Sequence, residues 1–287
     1  MGDMKIRKIQ KRLYIVLGVL ALLFSVIALW LFWTYYRVPE SASRKASIAF
    51  LDVGQGDAIL IKTPFGQNIL IDGGPDSSVI GKLEDELPWW DRTIDLAVLT
   101  HPHDDHVAGL IDVFKRYHVK KILYSGVVHD SPAYLEWLKL VRDQSVPLAI
   151  IDRPQKIIFG SDCFFDILYP RSSFLGLSVP NLNNSSLVAK FVCANDSVLF
   201  TGDAESEVEA ELIEGGVDLH ARILKAGHHG SDTSSSEKFI KAVSAEKAVI
   251  SVGADNKFGH PSLRTLKRLE RSDAEIMRTD LSGTIRF

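Results

Sequence analysis

Histidine and aspartate crowd one short stretch of the chain. Thr100-His101-Pro102-His103-Asp104-Asp105-His106 holds three of the nine histidines of a 287-residue sequence. Neutral imidazole nitrogens and carboxylate oxygens are ligands for zinc or manganese. Spacing of i, i+2 in an extended loop aims His101 and His103 at one point, and Asp105 and His106 address a second from the start of a helix. The chemistry implied is hydrolysis at a pair of divalent cations. A merely solvated turn is a poor account of such a density.

Three further stretches end in the same residue types. Asp203 closes the apolar run Ser197-Val-Leu-Phe-Thr-Gly202-Asp203, His228 and His229 follow a strand-like run at 221–227, and His260 sits in Gly259-His260-Pro261. An α/β protein collects its site from such strand ends, at one edge of a sheet.

The elements that must position these residues follow from the pattern. Residues 94–99 form a short apolar run of strand type, and a helix starts at about Asp105 or His106 and runs through about Tyr117. Upstream, strands at 48–53, 58–61 and 68–72 alternate with the turns Gly54-Gln55-Gly56-Asp57 and Thr63-Pro64-Phe65-Gly66 to make a meander. Asp57 and Asp72 stand beside glycines at strand ends, either as Asx-turn residues or as carboxylates that orient metal-bound imidazoles. The stretch around Pro88-Trp89-Trp90 looks variable and is given no element. Strands at 121–124, 147–151, 156–159 and 163–169 follow, with an amphipathic helix at 132–144 whose Trp137 reads as core.

The second half repeats the plan. Strands are expected at 187–193, 197–201, 221–227 and 247–252. Helices are expected at 204–214, at 238–243 behind the capping box Ser234-Ser-Ser-Glu237, and at 263–269. Residues 275–280 and 283–287 read as a closing hairpin. The two cysteines, Cys163 and Cys193, each lie inside a strand-like run. An extracytoplasmic location permits a disulfide between them, and buried free thiols are the alternative.

Composition bounds the class. An apolar share of 46% and a charged share of 24% are ordinary for a folded chain, long enough for one or two domains with a full core. Residues 13–33 carry no charge, and at 1.5 Å per residue they reach about 31 Å, one hydrocarbon core. The run is longer than a signal-peptide core, lacks a small-x-small cleavage site, and ends in Trp30, Phe32, Trp33, Tyr35 and Tyr36, an interfacial aromatic belt. Lys5, Arg7, Lys8, Lys11 and Arg12 precede it, which places the N-terminus in the cytoplasm. The expected organisation is a basic tail at 1–12, an anchor at 13–33, a linker at 34–46 and an extracytoplasmic domain at 47–287. The first 45 residues hold eight of the 33 Lys and Arg and two of the 36 Asp and Glu, so the remainder carries a formal charge of −9. Such a surface has no general attraction for polyanions, so any nucleic acid is engaged locally and mostly through the metals.

His101-x-His103-x-Asp105-His106, Thr201-Gly202-Asp203 and the strand order resemble the metallo-β-lactamase superfamily. More narrowly, Leu51-Asp-Val-Gly-Gln-Gly-Asp57, Leu70-Ile-Asp-Gly-Gly74, Asn183-Asn184-Ser-Ser-Leu187, Leu224-Lys-Ala-Gly-His-His-Gly-Ser231, Gly259-His260-Pro261 and Arg278-Thr-Asp-Leu-Ser-Gly283-Thr are similar to the extracytoplasmic domain of the ComEC family of competence DNA-uptake channels. The likeness covers nearly all of residues 46–287. It implies an α/β fold, an αββα sandwich with a dimetal site along the edge between two sheets, here preceded by one transmembrane helix.

The resemblance also implies two divalent metal ions, Zn2+ or Mn2+. His101, His103, Asp105, His106, Asp203 and His228 are the expected ligands, with His228 favoured over His260 for the last place. Asp105 orients or deprotonates the attacking water, and His229, Ser231, His260 and Asn184 belong to the substrate side. Many members carry a histidine where this chain has Asn183 and Asn184, so one metal position is expected to be held more loosely. The activity implied is a membrane-anchored phosphodiesterase or nuclease acting on DNA in an uptake context, with a separate DNA-channel protein as a partner, because the channels have many spans and this chain has one. Another ester, a wall-polymer phosphodiester, a lactone or a β-lactam, is the alternative within enzymes. A non-catalytic DNA-binding module is the rival outside them, and its expected basic or aromatic groove sits poorly with the acidic balance.

Overall fold

The computed structural model describes residues 2–36 and 45–287, the side chains of 2–11 and 33–36 aside. Of the linker expected at 34–46, residues 37–44 lie outside the described residues. The chain divides into two units, 1–44 and 45–287. In the first, one helix, α1 (Gly2–Tyr36), contains a segment, Arg12–Phe32, long and apolar enough to cross a membrane. The segment after Arg12 is apolar on every face. Its Ser25 hydroxyl donates to Ala21 O at 2.8 Å, so that polar group is satisfied within the helix.

The second unit begins with β1 (Ser47–Phe50), β2 (Ile59–Lys62), β3 (Asn68–Ile71), α2 (Ser78–Glu86), β4 (Leu96–Leu99), α3 (Asp104–Arg116), β5 (Ile122–Tyr124), α4 (Pro132–Asp143) and β6 (Leu148–Ile150). It continues with β7 (Gln155–Ile158), β8 (Cys163–Tyr169), β9 (Val188–Cys193), β10 (Asp196–Phe200), α5 (Ser206–Glu214), β11 (Ile223–Lys225), α6 (Glu237–Val243), β12 (Lys247–Ile250), α7 (Leu263–Glu270), β13 (Glu275–Arg278) and β14 (Ile285–Arg286). Two seven-stranded sheets result, in the orders β14-β1-β2-β3-β4-β5-β6 and β13-β12-β11-β10-β9-β8-β7. Each sheet has three antiparallel pairings at one end and three parallel ones at the other, β3-β4-β5-β6 in the first and β10-β11-β12-β13 in the second.

Two-residue alternation sorts the side chains between layers. Ile48 and Phe50, Ile59 and Ile61, Ile69 and Ile71, and Leu96 and Val98 fill the space between the sheets, where they meet Phe165, Phe191, Val198 and Phe200. Their neighbours Ala49, Leu60, Leu70, Ala97 and Leu99 face outward onto Leu83, Val107, Leu110 and Trp137 of α2, α3 and α4. Leu199, Leu224 and Ala248 do the same under Val208, Phe239 and Leu269 of α5, α6 and α7. Each such Val, Leu, Ile or Phe contributes about 1.5–3 kcal/mol by leaving water. This is the expected αββα sandwich. Both faces of both sheets are taken up by apolar packing, so polar chemistry is left to the strand ends.

Several local expectations are corrected. A helix, α2, occupies the stretch before Pro88, burying Val79, Ile80 and Leu83. α3 starts at Asp104, one residue before the expected range. Residues 275–278 and 285–286 do not form a hairpin: β13 runs parallel to β12 at the edge of the second sheet, and β14 pairs antiparallel with β1 at the edge of the first. Ser234 is not the cap of α6, because its hydroxyl donates to Ala204 O at 2.9 Å. Ser236 caps instead, its Oγ accepting from Phe239 N at 3.3 Å. Cys163 and Cys193 are direct cross-strand partners on β8 and β9 and are joined as a disulfide.

Candidate metal centre

Strand β4 ends at Leu99 and delivers Thr100 and His101, both buried, to the edge between the sheets. His103 occupies the N-cap position of α3, and Asp104, Asp105 and His106 form its first turn. His106 belongs to the buried stripe of the helix with Val107, Leu110, Val113 and Phe114, so the packing that seats α3 also aims this imidazole inward. Two glycines allow the seat. A Cβ on Gly109 would lie 1.9 Å from Gly73 O, and one on Gly73 would lie 2.4 Å from Leu110 N. In their absence Gly73 N donates to His106 O at 2.8 Å and Gly109 N to Gly74 O at 2.9 Å.

Asp72, at the end of β3, fixes the ring orientations. Its Oδ1 accepts from Thr100 N at 2.8 Å, and its Oδ2 accepts from Thr100 Oγ1 at 2.7 Å and from His106 Nδ1 at 2.8 Å. His106 is thereby left with Nε2 as its free atom. Thr100 Oγ1, its proton given to Asp72, accepts from His101 Nδ1 at 3.2 Å, which leaves His101 Nε2 turned to the cluster without that proton. His101 Nε2 and His103 Nδ1 lie 3.0 Å apart, about the separation of two nitrogens that share a cation at 2.0–2.1 Å.

The second sheet supplies the rest. Asp203 follows β10, with its backbone N held by Ser186 Oγ at 3.1 Å. Its Oδ2 lies 3.3 Å from His106 Nε2, 3.3 Å from His229 Nε2, 3.9 Å from His101 Nε2 and 4.0 Å from His228 Nε2. His228 and His229 follow β11 with φ of 50° and 52°, a left-handed conformation that costs non-glycine residues and concentrates at functional sites. His229 Nδ1 donates to Ser251 O at 2.9 Å, so its Nε2 also faces the cluster, 3.2 Å from Asp105 Oδ2. Behind them Lys225, fully buried, donates to Gly202 O at 2.8 Å and is ion-paired with Asp57 Oδ2.

These residues fit a divalent cation. Ligand atoms of Asp105, His106, Asp203 and His229 lie within 4.8 Å of one another. Among the described residues, His106 Nε2 and His229 Nε2 are buried without a hydrogen-bond partner, as atoms reserved for a ligand are. The electrostatics agree. Burial opposes the His106 imidazolium, yet Asp203, Asp72 and Asp105 carry its pKa well above the usual range. Against the same burial, Asp203 and Asp105 push His229 up to about 10. Burial would raise the Asp105 and Asp203 carboxyls, but His106 and His229 hold both well below the ordinary range. Burial keeps His101 and His103 low and hence neutral. Without a cation, protons on two imidazoles occupy the positive charge that the carboxylates demand.

The other expected site residues are placed as follows. His228 Nδ1 lies 3.3 Å from Glu205 Oε1, 3.2 Å from Thr233 Oγ1 and 3.4 Å from Asn183 Nδ2, at the mouth of the cluster, so that His229, expected beside the substrate, is the deeper of the pair. His260 stands behind His228, ring centroids 5.6 Å apart. Asn184 is turned away: its Oδ1 accepts from Glu205 N at 2.9 Å and its Nδ2 donates to Glu207. Asn183 is the one that reaches His228, its Nδ2 donating to Glu205 Oε1 at 2.9 Å and lying 3.4 Å from His228 Nδ1, while its Oδ1 is buried without a partner. Ser231 is also not brought to the cluster; its hydroxyl is 3.1 Å from Thr233 Oγ1, inside a turn. A cleft of about 580 Å³ opens over the centre, lined by His103, Asp105, Asp203, His228, His129 and Phe258 among others. Glu205 and Lys225 were not singled out as site residues by sequence; each acts through residues distant in the chain.

With this fold and this cluster in place, the chain belongs to the metallo-beta-lactamase superfamily, whose family model matches residues 51–254. It is 28% identical over 267 residues to ComE operon protein 3 of Bacillus subtilis (strain 168), covering 85% of this chain and 33% of that protein. It is 29% identical over 256 residues to Competence protein ComA of Neisseria gonorrhoeae, covering 88% and 33%. These relatives bear out the resemblance read from the motifs, and the chain spans about a third of their length. In fold it is similar to Igni18, a metallo hydrolase of the archaeon Ignicoccus hospitalis, with a TM-score of 0.53 at 14% identity over 84% of this chain and 98% of that one.

Proposed function

We propose that this protein is a membrane-anchored, metal-dependent phosphodiesterase that cleaves DNA outside the cytoplasm. The observation that carries the reading is the single oxygen, Asp203 Oδ2, set 3.3–4.0 Å from four imidazole nitrogens contributed by both sheets. One cation would be held by Asp105, His106, Asp203 and His229. The other would be held by His101, His103 and Asp203, with His228 beside it; zinc and manganese both accept this donor set. When bound, the cations supply Lewis acidity and a water nucleophile at neutral pH.

The protein's own groups do the rest. Asp105, 30% exposed where His106, Asp203 and His229 are buried, is the carboxylate positioned to orient a water or accept its proton. His228 and His260 stand at the mouth, where a phosphoryl oxygen or a leaving alkoxide would sit. Lys225 holds Asp203 Oδ1, which keeps Oδ2 turned toward the cluster. The competence relatives favour a DNA phosphodiester over a β-lactam or lactone, and a separate channel protein as the partner. The basic residues before the apolar segment and the Cys163–Cys193 disulfide both favour an extracytoplasmic domain.

The test is a substrate panel. The full chain in detergent, stripped with chelator and reloaded with Zn2+ or Mn2+, is offered single-stranded DNA, duplex DNA, bis-p-nitrophenyl phosphate, a β-lactam and a lactone. Metal-dependent cleavage of DNA is the expected result. Cleavage of the small diester alone redirects the search to wall polymers or nucleotides, and turnover of the lactone or β-lactam alone refutes the phosphodiester reading.

A further inference from the structure

Resting on that reading, we propose that Phe258, with the His260 ring stacked behind it, is a nucleobase platform at the mouth of the cleft and selects single-stranded nucleic acid. Phe258 lies between β12 and α7, and it lines the same cleft as Asp105, Asp203 and His228 while remaining 69% exposed. Its ring is nearly parallel to that of His260, centroids 5.9 Å apart and planes at 16°. His260 in turn leans on His228. A continuous row of rings therefore leads from the candidate metal cluster outward, ending in one free aromatic face.

The loop that carries this face is pinned. Asn256 Nδ2 donates to Gly253 O at 2.8 Å and to His260 O at 2.7 Å, and Asn256 Oδ1 accepts from Phe258 N at 3.2 Å and His260 N at 3.0 Å. At the base of the loop Gly253 N donates to Gln55 Oε1 at 3.2 Å, and a Cβ on Gly253 would lie 2.7 Å from Gln55 N. A ring held this way loses little freedom when a flat ligand stacks on it.

Electrostatics narrow the ligand. The unit is acidic overall, and no lysine or arginine is among the residues that line the cleft. On α7, just after the loop, Arg264 is paired with Asp232 at 3.0 Å and Arg268 donates to the carbonyls of Asp232, Ser234 and Ser235. Lys257, exposed beside Phe258, is the one lysine or arginine of loop 251–262 and is accompanied there by the exposed Asp255, so affinity from phosphate contacts and counterion release is small here. Stacking supplies it instead, because every base has a π face, and only an unpaired base offers that face to a side chain.

The test compares the manganese-loaded full chain with Phe258→Ala and Phe258→Trp on labelled oligothymidylate, on an abasic oligomer of the same length and on duplex DNA. The expected result for Phe258→Ala is a KM for oligothymidylate raised about tenfold or more with kcat nearly kept, restored by Phe258→Trp, and no difference from wild type on the abasic oligomer. Wild type is expected to prefer single strand over duplex, and the variant to lose that preference. An unchanged KM, or an equal loss on the abasic oligomer, overturns the platform while leaving the phosphodiesterase reading intact. A wild-type chain that cleaves no oligonucleotide of any kind overturns both.

Discussion

Lys225 Nζ lies 3.5 Å from Asp203 Oδ1, the oxygen opposite the one that faces four imidazoles. Burial opposes the lysine's charge, but Asp57 and Asp203 hold its pKa above that of a free lysine, so it remains a cation inside the protein. Lys225→Met leaves two buried carboxylates without it. Loss of one partner of a buried pair costs about 3–5 kcal/mol. Denaturant unfolding in chelator is expected to show that loss, with part of it recovered when Mn2+ is added; an unchanged midpoint in chelator would remove Lys225 from the support of the site.

Asp72→Asn tests the orientation of His106. Asparagine tolerates the left-handed φ of 57° at this position, so the backbone is kept while the acceptor charge is lost. Removal of such a support typically costs 10–100-fold in metal affinity. Competition with a fluorescent chelator measures it, and affinity equal to wild type would contradict the role.

Asp105→Ala is expected to lower kcat on bis-p-nitrophenyl phosphate by about 10²–10⁴-fold, the range of a general base. Its circular dichroism should match wild type, since the side chain is 30% exposed and packs no core. Full activity in this variant would remove Asp105 from the mechanism.

Metal uptake should release protons. The metal-free pKa values of His106 and His229 are raised, to about 10 in the latter, so both imidazoles are protonated at neutral pH and must lose those protons to coordinate. Affinity therefore increases with pH across the neutral range. The same sign gives the stability of the metal-free protein: the contribution of these two groups is complete below the unfolded value near 6.5 and is lost as pH rises through the folded ones. Calorimetry of Mn2+ binding in buffers of different ionisation enthalpy counts the protons; a count of zero would contradict the charged imidazoles.

The disulfide closes a loop with a sequence separation of 30 and is worth about 3–4 kcal/mol on the chain-entropy account. The denatured chain, taken from cells without reduction, should bind no maleimide, and two equivalents after reduction. Two equivalents before reduction would contradict the bond and weaken the case for an extracytoplasmic domain.

Local chemistry made much of this site legible in the sequence. The density of His101, His103, Asp105 and His106, and Asp203 at the end of an apolar run, needed only short-range pattern. Which of His228 and His229 lies deeper in the cluster did not lie in pattern, because it is set by two left-handed residues and by Ser251 O, 22 positions beyond His229. Asn183 and Asn184 are neighbours whose different partners depend on the start of α5, Asn183 bonding the Glu205 side chain and Asn184 the Glu205 backbone and Glu207. α2 was hidden because its buried face is only Val79, Ile80 and Leu83. A hairpin and two separate edge strands have the same local signature, and it is the pairing of Ile285 with Phe50 and of Arg278 with Ile250 that distinguishes them.

The most direct measurement titrates the stripped full chain with Mn2+ while cleavage of labelled single-stranded DNA is followed. Cleavage that is absent without metal, rises with added Mn2+ and saturates at two equivalents per chain is the predicted result. Metal bound with no DNA cleaved at any stoichiometry would contradict the account.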